Sequence, residues 1–409
     1  MSILISLIGI GTIFGLAFLL SNNRKAINYR TVVLAFVLQV SIAGLILYVP
    51  AGGQLLNGLV VGVQHVINYA NDGIEFVFGD RAQENLGFTI ALNVLPVIVF
   101  FSALMSTLYY LGIMQKIIAI FGGWLHKLLQ TSQTESMSAV ANVFIGHTEA
   151  PLVVRPYLSG MTESELFAVM TGGCATIAGA VMAGYAAMGV DLEYLITASF
   201  MAAPGGLLMA KIIKPETVFR DVKVEDVQSS DTAEAVNIFE AIGNGALTGL
   251  TLALNVGAML LAFVAMIALL NGVIAGVGGL FGYDDLSLQA ILGVLLAPLA
   301  FLLGVPWEEA TAAGSLIGQK FVINEFFAYV SFVQIYDTLS EHTQVIITFA
   351  LCGFANLSSI AILLGGLGSI APDRRHDIAR LGLMAVLGGT LSNLMSAVLA
   401  GMFLSFQAL

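Results

Sequence analysis

The chain has 409 residues, 58% hydrophobic and 10% charged, with a formal net charge of −11 and a mean hydropathy of +0.93. Soluble domains carry about 25% charged residues, so a water-soluble fold is excluded, and the absence of a basic patch excludes nucleic acid as a partner. Only helices or closed barrels span a bilayer, and apolar runs of about 18–28 residues fit helices, not alternating strands of about 10.

The first span is expected at 3–20. No positive charge precedes it and no small-residue cleavage site follows, so it is not a cleavable signal. Arg24, Lys25 and Arg30 come after it, which places the N-terminus outside and this loop inside. Further spans are expected at 31–49, 88–112, 164–190, 193–212, 246–273, 344–369 and 382–407, about eight in all. Stretches near 54–70 and 113–130 mix Gln64, His65, Asn68, Lys116, His126 and Lys127 with apolar residues and read as amphipathic helices at the interface. With this count the basic clusters Arg24–Arg30, Lys211–Lys223 and Arg374–Arg380 fall on one side, and the C-terminus lies outside.

Two further apolar regions, about 134–157 and 288–330, carry carboxylates and prolines and must enter and leave on the same side; the second has room for two full spans, since 288–305 alone is long enough, and returns to its starting side either way. The polar stretch 214–236 is an acidic cytoplasmic linker between two related halves. Each half has a hairpin bearing an acid, Glu149 or Glu325, followed by a long span interrupted by polar residues, at Thr176 and at Asn356. The first hairpin opens from inside and the second from outside, an inverted repeat that places a transporter's site near the midplane. The organisation expected is scaffold and interfacial helices over 1–130, a first transport repeat over 131–213, the linker, a scaffold segment over 237–286 and a second transport repeat with the last span over 287–409. The fold class is an all-α polytopic membrane protein with two re-entrant hairpins.

The segment Asn142-Val-Phe-Ile-Gly-His-Thr-Glu-Ala-Pro151 is the most informative. A carboxylate in the bilayer core costs roughly 2.5–3.5 kcal/mol on insertion scales, so an intramembrane acid defaults to function. Gly146 and Pro151 bracket Glu149, His147 and Thr148 and predict an unwound tip. The same argument marks Glu325 in Asn324-Glu325-Phe-Phe-Ala-Tyr329, whereas Glu308 and Glu309 mark a solvated turn. Asn356, Ser358 and Ser359 interrupt an apolar helix of spanning length. A serine or threonine in a span often satisfies itself on the preceding turn. Asn142 and Thr176 with nearby carbonyls nevertheless offer the oxygen ligands a hard cation takes. Cys174 and Cys352 read as small core residues, and Arg155 as a snorkelling surface charge. No P-loop, HExxH or nucleophile elbow is present, which points to an ion gradient rather than ATP and away from an enzyme.

At these segments the chain resembles the concentrative nucleoside transporter family, in "GHTEAPLVVRP", "NEFFAY" and "GFANLSSIAILLGG", with "AAPGGLLMAKI" and "LALNVGAML" in support. The likeness extends over nearly the whole chain. It implies a homotrimer in the bacterial cytoplasmic membrane, importing nucleosides with sodium, or with protons in some members. It implies that Gly146, His147, Thr148 and Glu149 face the nucleobase and that Glu325, Asn356 and Ser359 hold the ribose hydroxyls between the apolar walls Phe354 and Val181. The sodium ligands it implies are Asn142, Thr176 and the carbonyls of Ile145 and Ile177. The family commonly has Gln where this chain has His147, which puts base preference in question and predicts pH-sensitive uptake. Proton coupling through His147, Glu149 or Glu325 is the alternative to sodium, and a channel for small polar solutes is a more distant one that the inverted hairpins argue against.

Overall fold

The computed structural model describes residues 2–79, 89–147, 149–218, 235–283 and 286–407. The chain opens with α1 (Ser2–Leu20), α2 (Tyr29–Leu47), which the Asn28 side chain caps by accepting from the Arg30 and Thr31 amides, and α3 (Pro50–Phe78), with proline at its start. A π-turn at Ile90–Val94 leads into α4 (Leu95–Tyr110), followed by α5 (Ile113–Leu129). A capping box of Ser132 and Glu135 starts α6 (Gln133–Phe144), and a 3-10 run over Ala150–Gly160 follows it. A second box, Thr162 with Glu165, starts α7 (Glu163–Ala175), and α8 (Gly179–Ala187) and α9 (Leu192–Ile213) complete the first half. The second half holds α10 (Ile238–Gly279), α11 (Leu288–Leu302), α12 (Trp307–Val322), α13 (Glu325–Ile335), α14 (Glu341–Leu351), α15 (Ser359–Ile370) and α16 (Arg375–Gln407).

Among the described residues, seven helical segments are long and apolar enough to cross a membrane, in positions that match seven expected spans. The eighth, 344–369, is divided. Its halves α14 and α15 are too short to cross alone and are separated at 352–358, where Asn356 and Ser358 lie. The expected span 246–273 is the middle of the 42-residue α10, about 63 Å long at 1.5 Å per residue and so about twice the hydrocarbon thickness. The second hairpin is narrower than 288–330. Residues 288–302 form α11, which folds back on α12 at 115°, and the hairpin arms are α12 and α13. The stretch 54–70 is part of the longer α3.

The α7–α8 pair and α9 are almost wholly buried, and α16 largely so. Small residues allow this. A methyl on Gly389 would lie 2.7 Å from Cys174 Cβ, and one on Gly205 would lie 2.6 Å from Ser392 Oγ. In a membrane, where water does not drive helices together, such close approach supplies the packing energy. By contrast α10 turns Phe239, Leu247 and Leu261 outward, each at least 65% exposed, a surface suited to lipid or to another subunit. Cys174 and Cys352 are buried and unpaired, as expected of core residues.

The basic loops gather at one end. The Asn22 amide donates to Ile213 O, Glu163 pairs with both Lys214 and Arg380, and Arg374 donates to the carbonyls of Leu158, Ser159 and Met161. The first hairpin begins and ends there. At the other end of α9, Asp191 accepts from Tyr336 at 2.8 Å, and Glu309 accepts from Ser340. The second hairpin begins and ends at that end, so the two hairpins enter from opposite directions. Arg220, Lys223 and most of the linker 214–236 lie outside the described residues.

Candidate functional site

The first hairpin turns where α6 ends at Phe144. Its C-cap Ile145 is extended (φ −125°, ψ 158°), and Gly146 O accepts from the amides of Glu149 and Ala150 in a tight turn. Thr148 lies outside the described residues. One turn before the tip, the Asn142 amide donates to Ser138 O at 2.9 Å, while its Oδ1 is buried with no hydrogen-bond partner among the described residues. The break between α7 and α8 lies close by. Thr176 is extended there (φ −110°, ψ 167°), and its hydroxyl donates to Gly172 O at 3.0 Å. A methyl on Gly173 would lie 3.7 Å from Asn142 Oδ1 and 2.7 Å from His147 Cβ, so only glycine lets the hairpin tip lie against α7. Asn142, Ile145, Thr176 and Ile177 thus come from two non-helical corners. Ile145 and Ile177 lie outside the helices, so their carbonyls are not committed to a helical ladder.

The second hairpin turns at Ile323 and Asn324, and the Asn324 side chain caps α13 by accepting from the Phe327 amide at 2.8 Å. This leaves Glu325 on the first turn of α13, buried at 5% exposure. Its two oxygens accept from Asn356 Nδ2 at 2.8 Å and from Tyr185 OH at 3.2 Å. Asn356 Oδ1 in turn accepts from the Ser359 amide at 2.9 Å and the Ser358 hydroxyl at 2.6 Å, while Ser359 Oγ donates to Phe354 O. The polar residues that interrupt 344–369 therefore hydrogen-bond to one another and to Glu325.

The two halves meet at this point. The Phe354 amide donates to Thr176 O at 3.1 Å, so one broken helix is stitched to the other. The His147 ring lies edge-on to Phe354 with centroids 4.7 Å apart. Both of its ring nitrogens are buried and have no hydrogen-bond partner among the described residues. Val181 is buried one helical turn before Tyr185, on the face that meets Glu325. His147, Thr176, Val181, Glu325, Phe354, Asn356 and Ser359 are thus assembled. Glu149 stands apart: it is exposed, and its carboxylate joins neither Glu325 nor Asn356. The Tyr109 hydroxyl is buried and without a hydrogen-bond partner among the described residues.

Sequence reasoning missed four polar residues at this crossing. Tyr185 bonds Glu325, and Tyr329 OH donates to Thr348 O at 2.8 Å. Asn393 on α16 donates to Ala175 O at 2.6 Å and to Cys352 O at 2.8 Å, joining the ends of α7 and α14. Lys320 on α12 donates to Ala350 O at 2.8 Å and Asn393 Oδ1 at 2.7 Å. The rule that marked Glu325 applies equally to Lys320, a charge inside an apolar hairpin, and was the signal available.

Oppositely entering hairpins whose tips meet two broken helices define a membrane transporter with its site between the repeats. The family described as "Na+ dependent nucleoside transporter" matches in its C-terminal part over residues 194–401 and its N-terminal part over 8–81, and "Nucleoside recognition" matches 91–191. The chain is 54% identical to "Nucleoside permease NupC" of Helicobacter pylori, over 100% of this chain and 99% of that one. It is 58% identical to an uncharacterized transporter of Haemophilus influenzae, with the same coverage. It is 37% identical to "Sodium/nucleoside cotransporter 1" of Rattus norvegicus over 97% of this chain and 63% of the rat protein. Among solved structures it is similar to CNTnw in an inward-facing substrate-bound state, with TM-score 0.94 and 55% identity over 100% and 99% of the two chains. A doubly substituted CNTnw in an outward-facing state gives TM-score 0.96 at 55% identity, over 99% of each chain. The chain belongs to the concentrative nucleoside transporter family. It is a multi-pass nucleoside transporter, not an enzyme.

Proposed function

We propose that this protein imports nucleosides across a bacterial cytoplasmic membrane by sodium symport, as a homotrimer with both termini outside. One observation carries the site assignment: the convergence of Glu325, Asn356 and Tyr185 beside the unpartnered ring nitrogens of His147. A carboxylate has about four lone-pair positions, and protein donors take two of them at Glu325. Two remain for the vicinal hydroxyls of a ribose, which a carboxylate holds by charge-assisted bonds. Gly146 and His147 then face the base, Phe354 and Val181 wall the site, and Ser359 supports Asn356; the parts assigned to Thr148, which lies outside the described residues, and to Glu149, which stands apart, rest on the family resemblance. The segments 131–213 and 287–409 act as the two transport repeats, and 1–130 and 237–286 as scaffold.

Sodium fits the first-repeat corner on an observation of the fold itself. Asn142 Oδ1 is a buried oxygen with no donor among the described residues, set among extended backbone. Hard cations take such neutral oxygens. Two relatives are sodium cotransporters by name. The unpartnered His147 nitrogens favour a second reading, proton coupling. Uptake of uridine and adenosine into proteoliposomes under an inward sodium gradient, an inward proton gradient or neither separates the two. Accumulation with sodium alone is expected. Accumulation with protons alone overturns the sodium assignment, and no accumulation by folded protein overturns symport.

A further inference from the structure

The first arm of each hairpin ends in the same way. Asn142-Val-Phe-Ile145 closes one and Lys320-Phe-Val-Ile323 closes the other, and Asn142 and Lys320 each stand two residues before the helix ends, at Phe144 and Val322. Each also meets the last turn of its own repeat's broken helix. Asn142 lies against Gly172 and Gly173 on α7, and Lys320 donates to Ala350 O on α14. Lys320 is therefore the second repeat's counterpart of the residue assigned to the cation in the first.

The surroundings of the Lys320 ammonium resemble a cation site more than an ion pair. It is 2% exposed and donates to a backbone carbonyl at 2.8 Å and an amide oxygen at 2.7 Å. Among the described residues no carboxylate lies within 4 Å of it. Neutral carbonyl and amide oxygens are the donors that hold a hard cation. The carbonyl here also ends a helix, where the partial charge is negative. Asn393 extends the arrangement to Ala175 O and Cys352 O, so a positive charge at this point holds both helix breaks in register.

We propose that Lys320 is a tethered cation that permanently fills the second repeat's equivalent of the Asn142 site, so that transport draws on one mobile cation instead of two. This inference rests on the assignment of Asn142 and Thr176 as cation ligands. Lys320 acts by positioning: it touches the ends of the broken helices and not the substrate.

Replacing the ammonium with a neutral amide gives the second repeat an Asn142-like corner, which then requires an ion from solution. Nucleoside uptake is measured in proteoliposomes as a function of external sodium for wild type, Lys320→Asn, Lys320→Gln and Lys320→Arg. The glutamine variant nearly keeps the side-chain volume and gives the same test if the asparagine variant does not fold. The amide variants are expected to need at least roughly tenfold more sodium, with the Hill coefficient rising from about 1 towards about 2, whereas arginine keeps the wild-type steepness. An unchanged sodium curve in a folded amide variant overturns the proposal. So does loss of uptake at every sodium concentration in a variant that elutes and melts like wild type. A wild type indifferent to sodium instead overturns the assignment at Asn142. A sodium requirement newly gained by the amide variants would then still support the tethered cation.

Discussion

Glu325→Gln isolates the charge of the proposed ribose site from its shape. The amide oxygen can still accept from Asn356 Nδ2, and its NH2 can donate to Tyr185 once that hydroxyl turns, so the internal contacts at 2.8 and 3.2 Å survive. What is lost is charge assistance to the two substrate hydroxyls. Hydrogen bonds to a charged group contribute about 1.5–3 kcal/mol and neutral ones about 0.5–1.5. Two bonds therefore lose about 2 kcal/mol together, or roughly 30-fold in affinity. Initial rates of uridine and 3′-deoxyuridine uptake into proteoliposomes measure this directly. The variant should raise KM for uridine by roughly that factor, and its discrimination against the deoxy analogue should shrink, because the penalty for an unmatched carboxylate is gone. A uridine KM within about twofold of wild type, with discrimination intact, would show that Glu325 does not hold the ribose.

Three further outcomes follow from the same geometry. Asn142→Ala removes a buried, unpartnered oxygen and should raise the sodium needed for half-maximal uptake at least about tenfold, about 1.4 kcal/mol. Nucleoside affinity at saturating sodium should change little, and an unmoved sodium curve removes Asn142 from the cation site. His147→Gln places a donor and an acceptor at one end of the side chain, so competition of uridine uptake by a panel of purine and pyrimidine nucleosides should change its order; an identical order means the ring does not face the base. Lys211→Ala strands Glu135, which is 1% exposed and takes its ion pair from Lys211. Thermal unfolding in detergent should show a loss of about 3–5 kcal/mol, largely recovered when Glu135→Leu is combined with Lys211→Met. A single variant as stable as wild type would mean that the buried carboxylate has another counter-charge.

Much of this organisation is legible in the sequence because the bilayer imposes strong rules on few residues. Apolar length fixed most spans, and the sidedness of Arg24, Lys214 and Arg380 agrees with the gathering of those loops at one end. Glu325 and Asn356 stood out as polar residues in apolar runs, and they are found hydrogen-bonded to each other. Hydropathy averaged over a window reads 344–369 as one span, but Asn356, Ser358 and Ser359 within it marked the interruption, and they reorganise its backbone locally. The same averaging left 288–305 open between a span of its own and part of the second hairpin, since nothing in it distinguishes a helix that folds back from one that continues. Tyr185 and Asn393 were not legible for a different reason. A tyrosine or asparagine in a span is unremarkable until its partner is known, and those partners lie 140 and 218 residues away. Lys320 was legible in principle, because a lone intramembrane charge needs explaining by the argument applied to Glu325.

We propose that nucleoside and cation meet at one crossing of two inverted repeats, so that each strengthens binding of the other. Equilibrium binding of uridine to the purified protein, measured at zero and at saturating sodium with choline held as the balancing ion, tests it most directly. Sodium should tighten uridine binding by at least about tenfold, and uridine should tighten sodium binding by the same factor, as linkage requires. Uridine affinity that is identical with and without sodium would contradict the account, whatever the uptake experiments showed.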